Sequence, residues 1–147
     1  MFRELQAFVS CAASLSRLLW PPAIKDAQKN IRARLRGDGL RAALGVIEPH
    51  VLQDRSLRNH LEHFDERLDD WAETSRDHNI VDLMIGPKGA IAGDAIEDTD
   101  IFRQYDPTTK RFIFRGEEFD LQAIVYGVEQ ILRQVEVRRS QPPGPSP

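Results

Sequence analysis

The sequence predicts a mainly α-helical fold, a bundle of four to five helices with a β-hairpin inserted before the last of them. Three observations carry this. Apolar residues recur in steps of three and four through much of the chain up to Asn79 and again from Leu121 to Val135, which is the period of an amphipathic helix. Proline and glycine interrupt the pattern at Trp20-Pro21-Pro22 and at Gly37-Asp38-Gly39, dividing it into separate helices. One later stretch, Ile101 to Arg115, instead alternates apolar and polar side chains around Asp106-Pro107-Thr108-Thr109, a strand–turn–strand signature.

Taken in order, the first helix is predicted over Phe2 to Leu19, with Leu5, Phe8, Val9, Ala12, Leu15 and Leu19 on its apolar face. The two prolines end it, because proline has no N–H for the helical ladder and bars its predecessor from helical geometry. A second helix, near Ala23 to Arg36, is expected to bury Ile24, Ala27, Ile31 and Leu35 and to stop at the glycines. A short third carries Leu40, Ala43, Leu44 and Ile47 and ends near Pro49. A central helix runs from Asp54 to Trp71, with Asp54 or Ser56 as its cap. Ile80 to Ile85 reads as a short strand or extended loop leading into Gly86-Pro87-Lys88-Gly89, a connecting turn. The hairpin occupies about residues 99–119, and Asp120 caps a last helix with Leu121, Ile124, Val125, Val128, Ile131, Leu132 and Val135 on one face. Residues 1–140 then make a single domain, followed by a disordered proline-rich tail at 141–147.

Composition agrees with a globular chain that folds without staples: 147 residues, 41% hydrophobic and 29% charged. The one cysteine, Cys11, allows no internal disulfide, points to a reducing compartment and is expected to be a buried helix residue. No segment reaches membrane-spanning length, so a soluble cytoplasmic protein is expected. The net charge of −3 is unlike that of a generic nucleic-acid coat. The charge is uneven, however. Lys25, Lys29, Arg32, Arg34, Arg36 and Arg41 face only Asp26 and Asp38 in one segment, whereas Asp54 to His78 is rich in carboxylates. Either the two segments attract each other, or the basic one steers a phosphate backbone.

The central helix concentrates the chemistry. Leu57, Leu61, Phe64, Leu68 and Trp71 form one narrow apolar stripe. The remaining faces hold His60, His63, Arg55, Arg58, Arg67 and a dense set of carboxylates, more ionisable groups than a solvated face needs. Within it, Arg58-Asn59-His60-Leu61-Glu62-His63 places a polar residue directly after an arginine and a histidine beyond four intervening positions. Arg55 to His60 repeats the spacing. On a continuous helix Arg58 and His63 would stand roughly 140° apart around the axis, so a shared phosphate would need a curled arginine or a second copy of the helix.

This hexapeptide resembles the motif of the HEPN superfamily, helical-bundle proteins with an arginine, four to six residues, then histidine. Many are metal-independent RNA endonucleases of toxin and phage-defence systems that dimerise across this helix. The resemblance covers roughly Phe2 to Asn79. It implies His63 as general base, Arg58 as electrostatic stabiliser and Asn59 as the group orienting His63, with no metal and no cofactor. RNA would be cleaved by its own 2′-hydroxyl to a 2′,3′-cyclic phosphate and a 5′-hydroxyl. His60, Arg55, Lys29, Arg32 and Arg36 are weaker candidates for contacts with the substrate, His60 being nearer the apolar stripe and hence also a candidate packed histidine. The implied partners are a second copy bound through the Arg58–His63 helix, RNA, and an antitoxin protein.

Two other readings stand beside it. Arg58 and Glu62 form an i, i+4 pair, so the charged array could hold a non-catalytic dimeric or partner-binding module together. A metal site from His60, His63 and Glu66 or Asp70 is the third, although the spacing matches no closed ligand set.

Overall fold

The computed structural model describes residues 1–87, 89–91 and 95–140; Lys88 of the expected turn and the expected tail lie outside the described residues. Among the described residues, five α-helices and a four-stranded sheet follow in the order α1 (Phe2–Leu19), α2 (Ala27–Leu44), α3 (Ser56–Glu62), α4 (Phe64–Thr74), β1 (Met84–Ile85), β2 (Gln104–Asp106), β3 (Arg111–Phe114), β4 (Glu117–Asp120) and α5 (Leu121–Ser140). This is the mainly α class with a β region before the last helix. None of the described helices is long and apolar enough to cross a membrane. The chain forms two compact units, one of Met1–Val9 with Ser56–Ala123, the other of Ser10–Arg55 with the chain from Ile124.

In the first unit the sheet has the order β1-β2-β3-β4, with β1 parallel to β2 and the other neighbours antiparallel. The expected hairpin is the β2–β3 pair, but it does not stand alone. Arg115 and Gly116 both take positive φ (49° and 84°) between the paired residues Phe114 and Glu117, the two-residue turn whose twist suits a hairpin. That turn adds β4, a strand beyond the two of the expected hairpin. Alternation along β3 sends Phe112 and Phe114 inward, both almost fully buried. They meet an aromatic cluster in which Phe102 lies 5.6 Å from Phe114, 5.2 Å from Phe64 and 6.1 Å from Trp71, ring centroid to centroid. Trp71 donates its indole N–H to Asp100 Oδ1 (2.7 Å), which also accepts from the Ser75 hydroxyl (2.8 Å). A buried carboxylate is tolerable only when so satisfied, and this one ties the end of α4 to the turn between β1 and β2.

The second unit is built from the rest of α1, α2 and most of α5. Its core is Ala12, Leu19, Leu52 and Ile131, with Leu15, Trp20, Leu44, Val46, Ile124 and Val128 packed against it. Here α2 departs from expectation. It starts at Ala27, where the Asp26 side chain accepts the Lys29 N–H at 3.0 Å, and runs unbroken through Gly37 and Gly39 to a left-handed Gly45 (φ 60°). The expected second and third helices are one. Gly37 is a packing glycine: a Cβ there would stand 2.6 Å from the Leu19 carbonyl oxygen and 2.8 Å from Pro21 Cδ. Arg41 closes the same corner, donating to the Leu19 carbonyl and pairing with Glu48 (2.9 Å) and Asp38 (2.6 Å). With that side of α2 turned inward, Ile31 and Leu35 are 58% and 65% exposed, opposite to the face the sequence was read to bury. Ile24, Ile47 and Leu132 are also exposed, and so is Cys11.

Candidate functional site

The sequence-derived site residues fall on α3 and α4, and these are two helices rather than one. His63 breaks the helix between them: its φ of −104° and ψ of 39° lie outside helical geometry. Its backbone still accepts from and donates to the flanking turns, His63 N–H to Asn59 O at 3.0 Å and Arg67 N–H to His63 O at 3.1 Å. The expected 140° separation of Arg58 and His63 around one axis therefore no longer applies. The apolar stripe survives in part, with Leu57, Leu61 and Trp71 buried, Phe64 half-buried and Leu68 exposed.

At the kink His63 is about half exposed, and its Nδ1 lies 3.0 Å from Glu66 Oε1. An ionised carboxylate only accepts, so the neutral ring carries its proton on Nδ1 and keeps a lone pair on Nε2. The group on the imidazole is thus Glu66, not Asn59, whose exposed side chain takes no part in holding it. Arg58 is only 14% exposed at its side chain and pairs with Glu62 at 2.5 Å. Its charge is partly spent within its own helix. The motif therefore places two preformed pairs on α3 and α4, an imidazole with a carboxylate behind it and an arginine with a carboxylate beside it.

His60 has the packed character that its place near the stripe suggested. It stacks on Phe114 with centroids 5.0 Å apart, faces Phe119 edge-on, and meets Glu117 Oε2 through Nε2 at 2.7 Å. Its Nδ1 is buried without a partner. His60 also lines an open cavity of about 330 Å³ together with Arg67, Asp70, Thr99, Arg115 and Glu117. Apart from His60, and Asp70 in the metal reading, none of these was singled out as a site residue, because Glu117 and Arg115 come from the sheet, whose placement against α3 and α4 no local pattern discloses. Arg67 was legible only as one of the charges on the central helix.

The remaining candidates lie in the second unit. Lys29, Arg32 and Arg36 are exposed on α2, and Lys29 sits 3.9 Å from Asp26. Arg55, half-buried, reaches the Trp20 carbonyl at 3.5 Å. For the metal reading, His60 and His63 are held by different carboxylates, and Asp70 is taken by Arg115 at 2.6 Å. Among the described residues no group of three or more histidine, cysteine or acidic side chains is placed to hold a metal ion. No protein-family model matches the chain, and no curated protein or solved structure matches it either.

Proposed function

We propose that this chain is a metal-independent endoribonuclease of the HEPN kind, cutting RNA at a site on the α3–α4 kink. The observation that carries the reading is the His63–Glu66 pair: an accessible imidazole whose Nδ1–H is held by a carboxylate at 3.0 Å, which presents the Nε2 lone pair as a base. In the reaction, His63 Nε2 takes the proton of a ribose 2′-hydroxyl, and that oxygen attacks its own phosphorus. The bond to the 5′-oxygen of the next nucleotide breaks, and that oxygen takes a proton from solvent water, giving a 2′,3′-cyclic phosphate and a 5′-hydroxyl. Arg58, turning from Glu62, stabilises the charge that gathers on the phosphoryl oxygens in the transition state. Such base catalysis contributes about 10²–10⁴-fold.

The test is to incubate the purified chain with RNA in excess EDTA and to identify the new ends. Cyclic phosphate and 5′-hydroxyl termini support the reading. Cleavage that requires an added metal, or that leaves 3′-hydroxyl ends, contradicts it. One observation favours a second reading, a non-catalytic binding module. Arg58 is largely buried and already paired with Glu62, the arrangement of a structural ion pair. A chain that leaves RNA intact under every buffer condition would support that module.

A further inference from the structure

Arg67 follows His63 by one turn on α4, is half-buried, and lines the 330 Å³ cavity beside His60 and Arg115. The charges around it are already allotted. Asp70 is taken by Arg115 Nη1 at 2.6 Å, and Arg115 also donates to the carbonyls of Arg67 (3.1 Å) and Thr99 (3.2 Å). Glu117 is taken by His60 at 2.7 Å. Arg67 itself makes no side-chain hydrogen bond or ion pair with any described residue, and its Nε is buried without a partner. A guanidinium does not give up its proton in a protein, and a partly buried charge with unmet donors is costly. The cavity wall therefore sets two guanidiniums against two carboxylates, and Arg67 is the one that no carboxylate pairs, in a cleft far larger than one water needs.

We propose that this cavity binds a phosphodiester group, with Arg67 as its principal donor. One unpaired guanidinium suits a monoanion. A dianionic phosphate would meet Asp70 and Glu117 at the wall with no second free cation to offset them. The planar fork of donors on arginine matches two phosphoryl oxygens. The choice of a nucleic-acid diester over other monoanions rests on the ribonuclease reading, since Arg67 lies one turn from the proposed base; the anion site itself does not.

The probe is a deoxyribodinucleoside monophosphate, which has the diester but no 2′-hydroxyl and so cannot be cleaved by 2′-hydroxyl attack. It is titrated into the whole chain while the Arg67 Nε–H resonance and the binding heat are followed. A saturable shift at Arg67 is expected, with at least tenfold weaker binding of the uncharged methylphosphonate analogue and of inorganic phosphate at pH 8. Arg67→Gln should weaken binding at least tenfold, and Arg67→Lys less. Equal binding of charged and uncharged probes, tighter binding of inorganic phosphate, or an Arg67→Gln variant that binds like the wild type overturns the site. If that variant does not fold, the wild-type resonance decides: an unmoved Arg67 Nε–H overturns the proposal. The two readings fail separately. Diester binding at Arg67 by a protein that cuts no RNA leaves the site and removes the nuclease; RNA cleavage with no diester bound there does the reverse.

Discussion

Glu66 Oε1 stands 3.0 Å from His63 Nδ1, at the one residue where the helix carrying the Arg58–His63 motif breaks. The break turns a continuous helical stripe into a corner, and the carboxylate fixes which imidazole nitrogen holds the proton. Glu66→Ala should therefore lower kcat for RNA cleavage by about tenfold, or about 1.4 kcal/mol, with little change in Tm because both groups are more than half exposed. Steady-state kinetics beside a melting curve would show it. An unchanged kcat would mean that the pair does not orient the base.

Glu62 competes with any phosphate for Arg58. Removing it in Glu62→Gln should raise kcat/KM for RNA severalfold, with the gain in kcat, because Arg58 acts on charge that develops in the transition state. Initial-rate measurements over a range of RNA concentrations separate the two constants. A lowered kcat would mean instead that Glu62 holds Arg58 in its working position.

The two glycines inside α2 separate a packing role from a helix-breaking one. A Cβ at Gly37 meets the backbone oxygen of Leu19 at 2.6 Å, whereas at Gly39 nothing lies within 4 Å. Gly37→Ala should cost about 1–3 kcal/mol through overpacking, and Gly39→Ala should stabilise by about 0.5–1 kcal/mol through helix propensity and a less flexible unfolded chain. Urea unfolding of the two variants would give opposite signs. Stabilisation by both would contradict the close approach.

Those glycines show where sequence reading stopped. Periodicity located α1 to the residue and placed Asp120 as the cap of α5, where its side chain accepts the Ala123 N–H at 2.9 Å. Both signals are local. Gly37-Asp38-Gly39 carries the same letters whether glycine ends a helix or lets another backbone come close, and only the neighbouring Leu19 carbonyl tells them apart. Glu117 to Asp120 has an acidic sequence of low strand propensity and becomes β4 by pairing with β3 across the Arg115-Gly116 turn. The motif residues were visible on the central helix. The Glu117 carboxylate on His60 and the Arg115 side chain on the Arg67 carbonyl were not, because both come from the sheet.

His50 ties acid stability to one hydrogen bond. Its Nδ1 accepts the Leu52 N–H at 3.2 Å, the ring stacks on Trp20, and burial holds its pKa below the ordinary 6.5, partly offset by a hydrogen bond with Gln130. With the folded pKa below the unfolded one, the contribution is fully present above about pH 6.5 and is lost as pH falls through the lowered value. Denaturation between pH 7.5 and pH 5 should show the wild type losing more stability than His50→Gln, which cannot titrate. Parallel losses in the two proteins would assign the acid sensitivity to other groups.

The central claim is that His63, rather than His60, takes the proton from the 2′-hydroxyl. Its most direct test is the rate of RNA cleavage in excess EDTA by His63→Ala and His60→Ala, each with its melting temperature. The predicted result is a fall of about 10²–10⁴-fold for His63→Ala at a nearly wild-type Tm. His60→Ala, which empties a stacked position against Phe114, should lower Tm more than His63→Ala does and lower the rate less. Full activity of a folded His63→Ala protein would contradict the account.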